Sequence, residues 1–292
     1  MLKIVKEITE AKKSTAIVYF SLRFLVIVCM ILQIVHGDYN NAFLCAFSLF
    51  LFVIPFFVQQ KFKITLPNAL EIIIFLFIFA AEILGEINNF YQLFPHWDTI
   101  LHTINGFLCA GIGFSLLDLL NNNSKRLKLS PIYLAIFSFC FSMTIGVCWE
   151  FFEYTADKYF YTDMQKDTIV STISTVELDE TRSNKAVTIK DIQKTILYDK
   201  DGNELATING GYLDIGIQDT MEDLFVNLIG AVTFSILGYC YVLNKKKYKF
   251  IRKFIPMKTA DYNTAAKVYK KKQENKGSII LVGVGNSNYF FI

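Results

Sequence analysis

The sequence predicts an all-α membrane protein: a six-transmembrane-helix bundle with both termini cytoplasmic. A small extracytoplasmic α/β or β-hairpin insertion is expected between helices 5 and 6. Three observations predict this class. The 292-residue chain is 53% hydrophobic with 28 Phe, and its mean hydropathy is +0.38, too apolar for an ordinary soluble domain of this size. Six stretches approach or reach the length, about 20 residues, that a helix needs to cross a hydrocarbon core. Finally, Lys and Arg collect in alternate loops, as they do around membrane helices.

The expected spans are 15–36, 42–58, 66–87, 98–120, 132–154 and 219–243. The second is short and predicts little tilt. The apolar run of the first is too long for a cleaved signal peptide, and no small-x-small site follows His36. Orientation follows from the basic residues. Lys3, Lys6, Lys12 and Lys13 precede helix 1, Lys61 and Lys63 follow helix 2, and Lys125, Arg126 and Lys128 follow helix 4. Lys245, Lys246, Lys247, Lys249, Arg252 and Lys253 follow helix 6. The loops 37–41 and 88–97 contain no Lys or Arg. An even number of helices with alternate basic loops puts both termini in the cytoplasm and the chain in the plasma (inner) membrane.

The domain plan is then 1–156 for helices 1–5, 157–218 for an extracytoplasmic cap, 219–243 for helix 6 and 244–292 for a basic cytoplasmic tail. Within the cap, ILYDKDGNELATI at 196–208 predicts a hairpin. Ile196, Tyr198, Leu205 and Thr207 flank a turn rich in Asp, Asn and Gly. DKDGNE is similar to a calcium loop, but Gly202 comes too early for one. The terminal GSIILVGVGNSNYFFI is apolar and too short to span. The net charge of +3 is small and sits in loops and ends, with no basic patch interleaved with aromatics. That excludes nucleic acid and leaves the lipid bilayer as the expected partner. The six Cys all lie in apolar stretches without a CxxC pair, which predicts small packing residues.

The ionisable residues of the expected spans are not scattered. Glu82, Glu86 and Asn89 end helix 3, and Asp98 and His102 begin helix 4. Glu150, Glu153 and Asp157 end helix 5, and Asp219, Asp223 and Asn227 begin helix 6. Each set has the three- and four-residue spacing of one helical face. The topology drawn from Lys and Arg alone brings all four sets to the outer surface. His102 and Asp223 lie about 6 Å deeper than Asp98 and Asp219 at the helical rise, where a charge facing lipid costs a few kcal/mol. The polar faces are therefore expected to turn inward. Asn105 and Gly106 on helix 4, with Asn227 and Gly230 on helix 6, continue them as a structural stripe suited to close packing. Asp98 and Asp219 also fit helix N-caps. Arg23 and Glu71 are expected to form a structural ion pair near the cytoplasmic side.

Clustered carboxylates cannot all stay ionised without a counter-charge: either several are protonated at neutral pH or cations sit among them. Lys and Arg are scarce at that surface, which points to a divalent metal: Mg, Mn, Zn or Fe. The expected ligands are His102, Glu150, Asp223 and Glu86. Glu153, Asp98 and Asp219 are the candidate catalytic carboxylates.

WDTILHTINGF, GVCWEFFEYTAD and LDIGIQDTMEDLFVNLIGA resemble three signature blocks of the YjdF-like family of bacterial inner-membrane proteins, with a looser likeness to VanZ-like membrane proteins. The resemblance covers residues 88–239. It implies Asp98, His102, Gly106, Glu150, Glu153, Asp219, Asp223, Asn227 and Gly230 as the marked positions, and it implies no particular reaction. The polar insertion before Gly211 is longer than in shorter members. Three function classes follow. One is a metal-dependent hydrolase or transferase acting on a lipid-linked or cell-envelope substrate. The second is a proton- or cation-coupled transporter. The third is a non-enzymatic sensor or envelope assembly factor.

Overall fold

A computed structural model of the chain describes residues 2–123, 129–260 and 263–264. Lys125, Arg126, Lys128 and the terminal stretch 279–292 lie outside the described residues, as do the side chains of Lys3, Lys6, Lys12 and Lys13. The structure is mostly helical. Among the described residues, five helical stretches are long and apolar enough to cross a membrane: Ser14–His36, Tyr39–Phe62, Trp97–Asn121, Pro131–Phe160 and Ile217–Leu243.

Helix α1 (Leu2–His36) ends at Gly37, whose φ of +78° suits a residue without Cβ. Asp38 then caps α2 (Tyr39–Leu51) by accepting the Asn41 N–H at 3.0 Å. The second stretch does not stop at 58. It steps from α2 into α3 (Ile54–Phe62), with Pro55 in the first turn of α3, where a missing N–H costs nothing. The expected short second helix is thus 24 residues long.

The expected third span takes a different form. Helix α4 (Asn68–Ile78) runs into a π-helical segment (Phe79–Ile87), and together they are not among the five. The wider i→i+5 turn keeps Glu82 and Glu86, four residues apart, as electrostatic neighbours but takes Asn89, seven residues on, off their face. Asn89 instead adopts a left-handed conformation and starts the short helix α5 (Phe90–Leu93).

The helices α6 (Trp97–Asn123), α7 (Pro131–Phe160) and α8 (Ile217–Leu243) pack against one another, and α1, α2, α4 and the π segment form a second group. Ala110, Phe114, Leu134, Ala231 and Phe234 fill the first group, and Leu22, Val26, Cys45, Phe52 and Phe75 the second. Leu108 of α6 joins them by packing with Ile64, Leu66 and Leu70. Large apolar side chains such as Phe20, Phe24, Phe57, Phe151 and Phe225 point outward, as expected where lipid replaces water. All six Cys are free thiols.

The insertion between α7 and α8 contains strands and turns only, among its described residues, so the α/β form does not occur. Three antiparallel ladders build it. Strand β2 (Ile169–Val170) pairs β7 (Tyr212–Leu213), β3 (Ile173–Thr175) pairs β4 (Val187–Ile189), and β5 (Lys194–Tyr198) pairs β6 (Glu204–Asn209). The last pair is the expected hairpin, with Ile196 opposite Thr207. At its turn Asp199 accepts the N–H groups of Asp201 and Asn203, which is turn chemistry.

At the other end of the bundle, the chain after α8 packs back onto the helices. Ile251, in a 3₁₀ turn (Lys249–Phe254), and Ile255 are buried against the α6–α8 core. Strand β1 (Ile64–Thr65) pairs β8 (Met257–Lys258). The basic segment is therefore clamped between the two helix groups, at least to Lys258.

Candidate functional site

Helices α6 and α8 approach closely because they lack side chains where they cross. A Cβ on Gly106 would collide with the Asn227 carbonyl oxygen, and one on Gly230 with the Thr103 carbonyl oxygen. Ser142 Oγ donates to the Gly106 carbonyl at 2.7 Å and Ser138 Oγ to that of Ala110 at 2.6 Å, tying α7 to α6. Asn105 Nδ2 reaches Asn227 Oδ1 at 3.5 Å. Asn227, 1% exposed, also directs Nδ2 at Met143 Sδ at 3.6 Å. These contacts fix the register of the three helices one to two turns below the charged residues.

Above that floor the structure brings five ionisable residues together. His102 Nε2 lies 3.4 Å from Asp98 Oδ1 and 3.6 Å from Asp223 Oδ2. Ligand atoms of Asp98, His102 and Asp223 all lie within 4.8 Å of one another, and so do those of Glu150, Glu153 and Asp223. Asp223 belongs to both groups. His102, Glu150, Glu153 and Asp223 are 9%, 5%, 7% and 3% exposed. Trp149 Nε1 donates to Glu153 Oε1 at 2.8 Å. Glu153 Oε2 and Asp223 Oδ2 are buried without any hydrogen-bond partner.

Both His102 separations are long for a good hydrogen bond. They suit the edge of a coordination shell. Two ligand atoms about 2.1 Å from one ion, subtending about 105–120°, are about 3.3–3.6 Å apart.

Asp219 is placed differently from the expectation. It is not an N-cap, because Gly216 holds that position in a left-handed conformation. Its Oδ2 accepts the Lys166 N–H at 2.8 Å. Asp98 is likewise inside the first turn of α6, which starts at Trp97. Asp157 accepts the N–H groups of Met164 and Gln165 and the Thr162 hydroxyl. The chain from 162 to 166 is thereby strapped across the cluster from α7 to α8. Gln165 Nε2 donates to Thr220 Oγ1 and reaches Glu150 Oε2 at 3.5 Å.

Glu86 is exposed and belongs to neither group of candidate ligands, although it is an electrostatic neighbour of Asp98 and Lys166. Arg23 and Glu71 do not form the expected ion pair. Arg23 donates to the Tyr19 hydroxyl and lies over its ring, while Glu71 accepts from Gln59 Nε2 at 3.1 Å. Each sits where a nearer partner on its own helix group is available.

Sequence reasoning missed Gln165, Lys166 and Tyr91. Lys166 corrects the expected scarcity of cations: its charge bears on Glu86, Asp98, Asp157 and Asp219. The Tyr91 ring packs on Gly85. Its hydroxyl is held above the usual range by burial first, then by Asp98, Glu86, Glu82 and Glu153. No motif spacing marks these residues. Only their position after a helix end could have suggested them.

A bundle of apolar helices with a buried acidic and histidine cluster at one end defines a multi-pass membrane protein. The chain belongs to the family described as predicted membrane protein (DUF2238), whose model matches residues 17–244. That span takes in the whole cluster, the strap and the insertion. No curated protein and no solved structure matches the chain.

Proposed function

We infer that this is a six-span protein of the plasma membrane with both termini cytoplasmic, α4 and the π segment supplying the sixth crossing. The insertion and the cluster then face outward, in keeping with the YjdF-like resemblance of the three blocks. The cluster is a divalent-cation centre of a hydrolase or transferase. Its substrate is a lipid-linked or cell-envelope molecule that reaches the headgroup level, where the cluster opens beneath the strap.

Asp98, His102 and Asp223 hold the cation. A bound ion lowers the pKa of its water and polarises a phosphoryl or carbonyl oxygen. Glu153, with Oε1 anchored by Trp149 and Oε2 free, takes the proton as general base. Asp219 serves less well in that role, because its Oδ2 is engaged by the strap. Lys166 meets the anionic part of the substrate.

One observation carries this reading. Two buried carboxylate oxygens, Glu153 Oε2 and Asp223 Oδ2, have no hydrogen-bond partner. Protonated carboxyls in a proton path or a purely structural cluster would be expected to hydrogen-bond each other. A cation held by Asp98, His102 and Asp223 satisfies Asp223 Oδ2 without a donor and leaves Glu153 Oε2 free to take a proton.

The test is elemental analysis of the purified full chain beside His102→Ala and Asp223→Asn. Bound divalent metal in the wild type, reduced in both folded variants, supports the reading and directs assays to lipid-linked phosphates and esters. Absence of metal under every supplementation overturns it in favour of proton-coupled transport.

A further inference from the structure

We propose that the cluster holds two divalent cations and that Asp223 bridges them. This rests on the preceding reading that the cluster binds a cation at all. It changes the role of Glu153 from proton acceptor to ligand.

Geometry gives the first reason. The candidate ligands form two triads, not one set: Asp98, His102 and Asp223, and Glu150, Glu153 and Asp223. The shared member is Asp223, at 3% exposure among the most buried acidic side chains of the cluster. A carboxylate with two oxygens can serve two ions at once, and paired cations in such centres lie about 3.5–4 Å apart. One triad includes an imidazole and the other is all oxygen, so the two positions differ in character.

Unsatisfied atoms give the second. Asp223 Oδ2 and Glu153 Oε2 both lack a hydrogen-bond partner, and Asp223 Oδ2 faces His102 at 3.6 Å. An ion in the first triad accounts for Asp223. Only an ion in the second gives Glu153 Oε2 a partner as well.

Charge gives the third. Asp98, Asp223, Glu150 and Glu153 put four carboxylates in the two triads, while the Lys166 Nζ lies 3.9 Å from Asp163 Oδ2. One divalent ion leaves two negative charges uncompensated in a low-dielectric site, which is strongly unfavourable. A second divalent ion removes them. His102 stays neutral as a ligand must.

The experiment loads the full chain with Mn²⁺ alone, after chelation and desalting. It measures bound Mn per chain and the electron paramagnetic resonance spectrum. Two Mn per chain with an exchange-coupled spectrum are expected. Glu153→Gln and Glu150→Gln should each fall to one Mn with a single-ion spectrum, as should His102→Ala. Asp223→Asn should lose the coupling and bind less than one. Circular dichroism and size-exclusion profiles identify folded variants, and Glu150→Gln covers the second position if Glu153→Gln does not fold. One Mn in the wild type, unchanged in Glu153→Gln, overturns the second ion and leaves the single-cation reading standing. Two uncoupled ions overturn the bridge. No bound Mn overturns both readings.

Discussion

Asp223 states the problem of the cluster in one side chain. It is almost fully buried on α8, faces His102 beyond hydrogen-bond distance, and leaves Oδ2 without a partner. A buried charge without compensation destabilises a fold, and replacing it by a neutral isostere is often stabilising. In chelator-treated protein, Asp223→Asn should therefore raise the thermal midpoint, by roughly 2–4 °C for each kcal/mol gained. With Mn²⁺ present the order should reverse, because only the wild type gains binding energy from the ion. A midpoint for Asp223→Asn below wild type in both conditions would sink this account. Gly230 gives a second residue-scale prediction. Any Cβ there meets the Thr103 carbonyl and the Phe107 N of α6, and backbone cannot move aside as a side chain can. Gly230→Val should cost about 3 kcal/mol, the upper end of overpacking costs, read as a large drop in thermal midpoint or loss of the monodisperse peak.

At the scale of elements, the joint between insertion and bundle depends on one carboxylate. Asp214 accepts the N–H groups of Thr168, Gly216 and Gln218, so it ties β2 to the first turn of α8. Slight burial opposes its ionisation, but the N–H groups of Thr168, Gln218 and Gly216 outweigh this and hold its carboxyl below the usual range. In the hairpin turn, Asp199 is held low by the Asn203 side chain and then its N–H. Asp179 is held low by the Thr181 hydroxyl first and the Lys185 N–H next. A carboxyl depressed by folding stabilises the fold above its unfolded value, about 3.9 for Asp. That contribution is lost as pH falls through the lower folded value. Hydrogen-exchange protection of the insertion, corrected for intrinsic rates, should be flat from neutral pH to about pH 4 and decline below it. Asp214→Ala should cost about 1 kcal/mol, the usual cost of a lost helix-start acceptor, and loosen β2 and β7 before it affects α6. The strap is the other joint. Asp157→Ala frees the Met164 and Gln165 N–H groups, and new proteolytic cleavage between 160 and 168 should report it.

For the molecule as a whole, the end that carries the insertion and cluster is opposite the end where the basic segment is clamped. On the orientation proposed above, the basic end faces the cytoplasm, as the positive-inside pattern expects. In a background with the native Cys replaced by Ser, Asp201→Cys should react with a membrane-impermeant thiol reagent in intact cells. Lys247→Cys should react only after permeabilisation. The reverse pattern would invert the protein and turn the cluster toward cytoplasmic substrates.

How much of this was legible in the sequence depends on how local the cause is. Hydropathy and turn chemistry are local, so the five long helices and the hairpin around Asp199 could be read directly. Helical spacing is also local, and it grouped Asp98 with His102, Glu150 with Glu153, and Asp219 with Asp223. It did not show that Glu86 would stay outside both triads, and it failed at Arg23 and Glu71 because each found a partner nearer than the other. The tertiary structure alone decided that Asp223 stands between two triads. It also decided that residues 162 to 166 cross above them and bring Lys166 to a surface that looked short of cations. Those relations join α6, α7 and α8 across more than a hundred residues of chain. They are set by the close approach at Gly106 and Gly230, where absence of a side chain on one helix matters only in the presence of the backbone of the other.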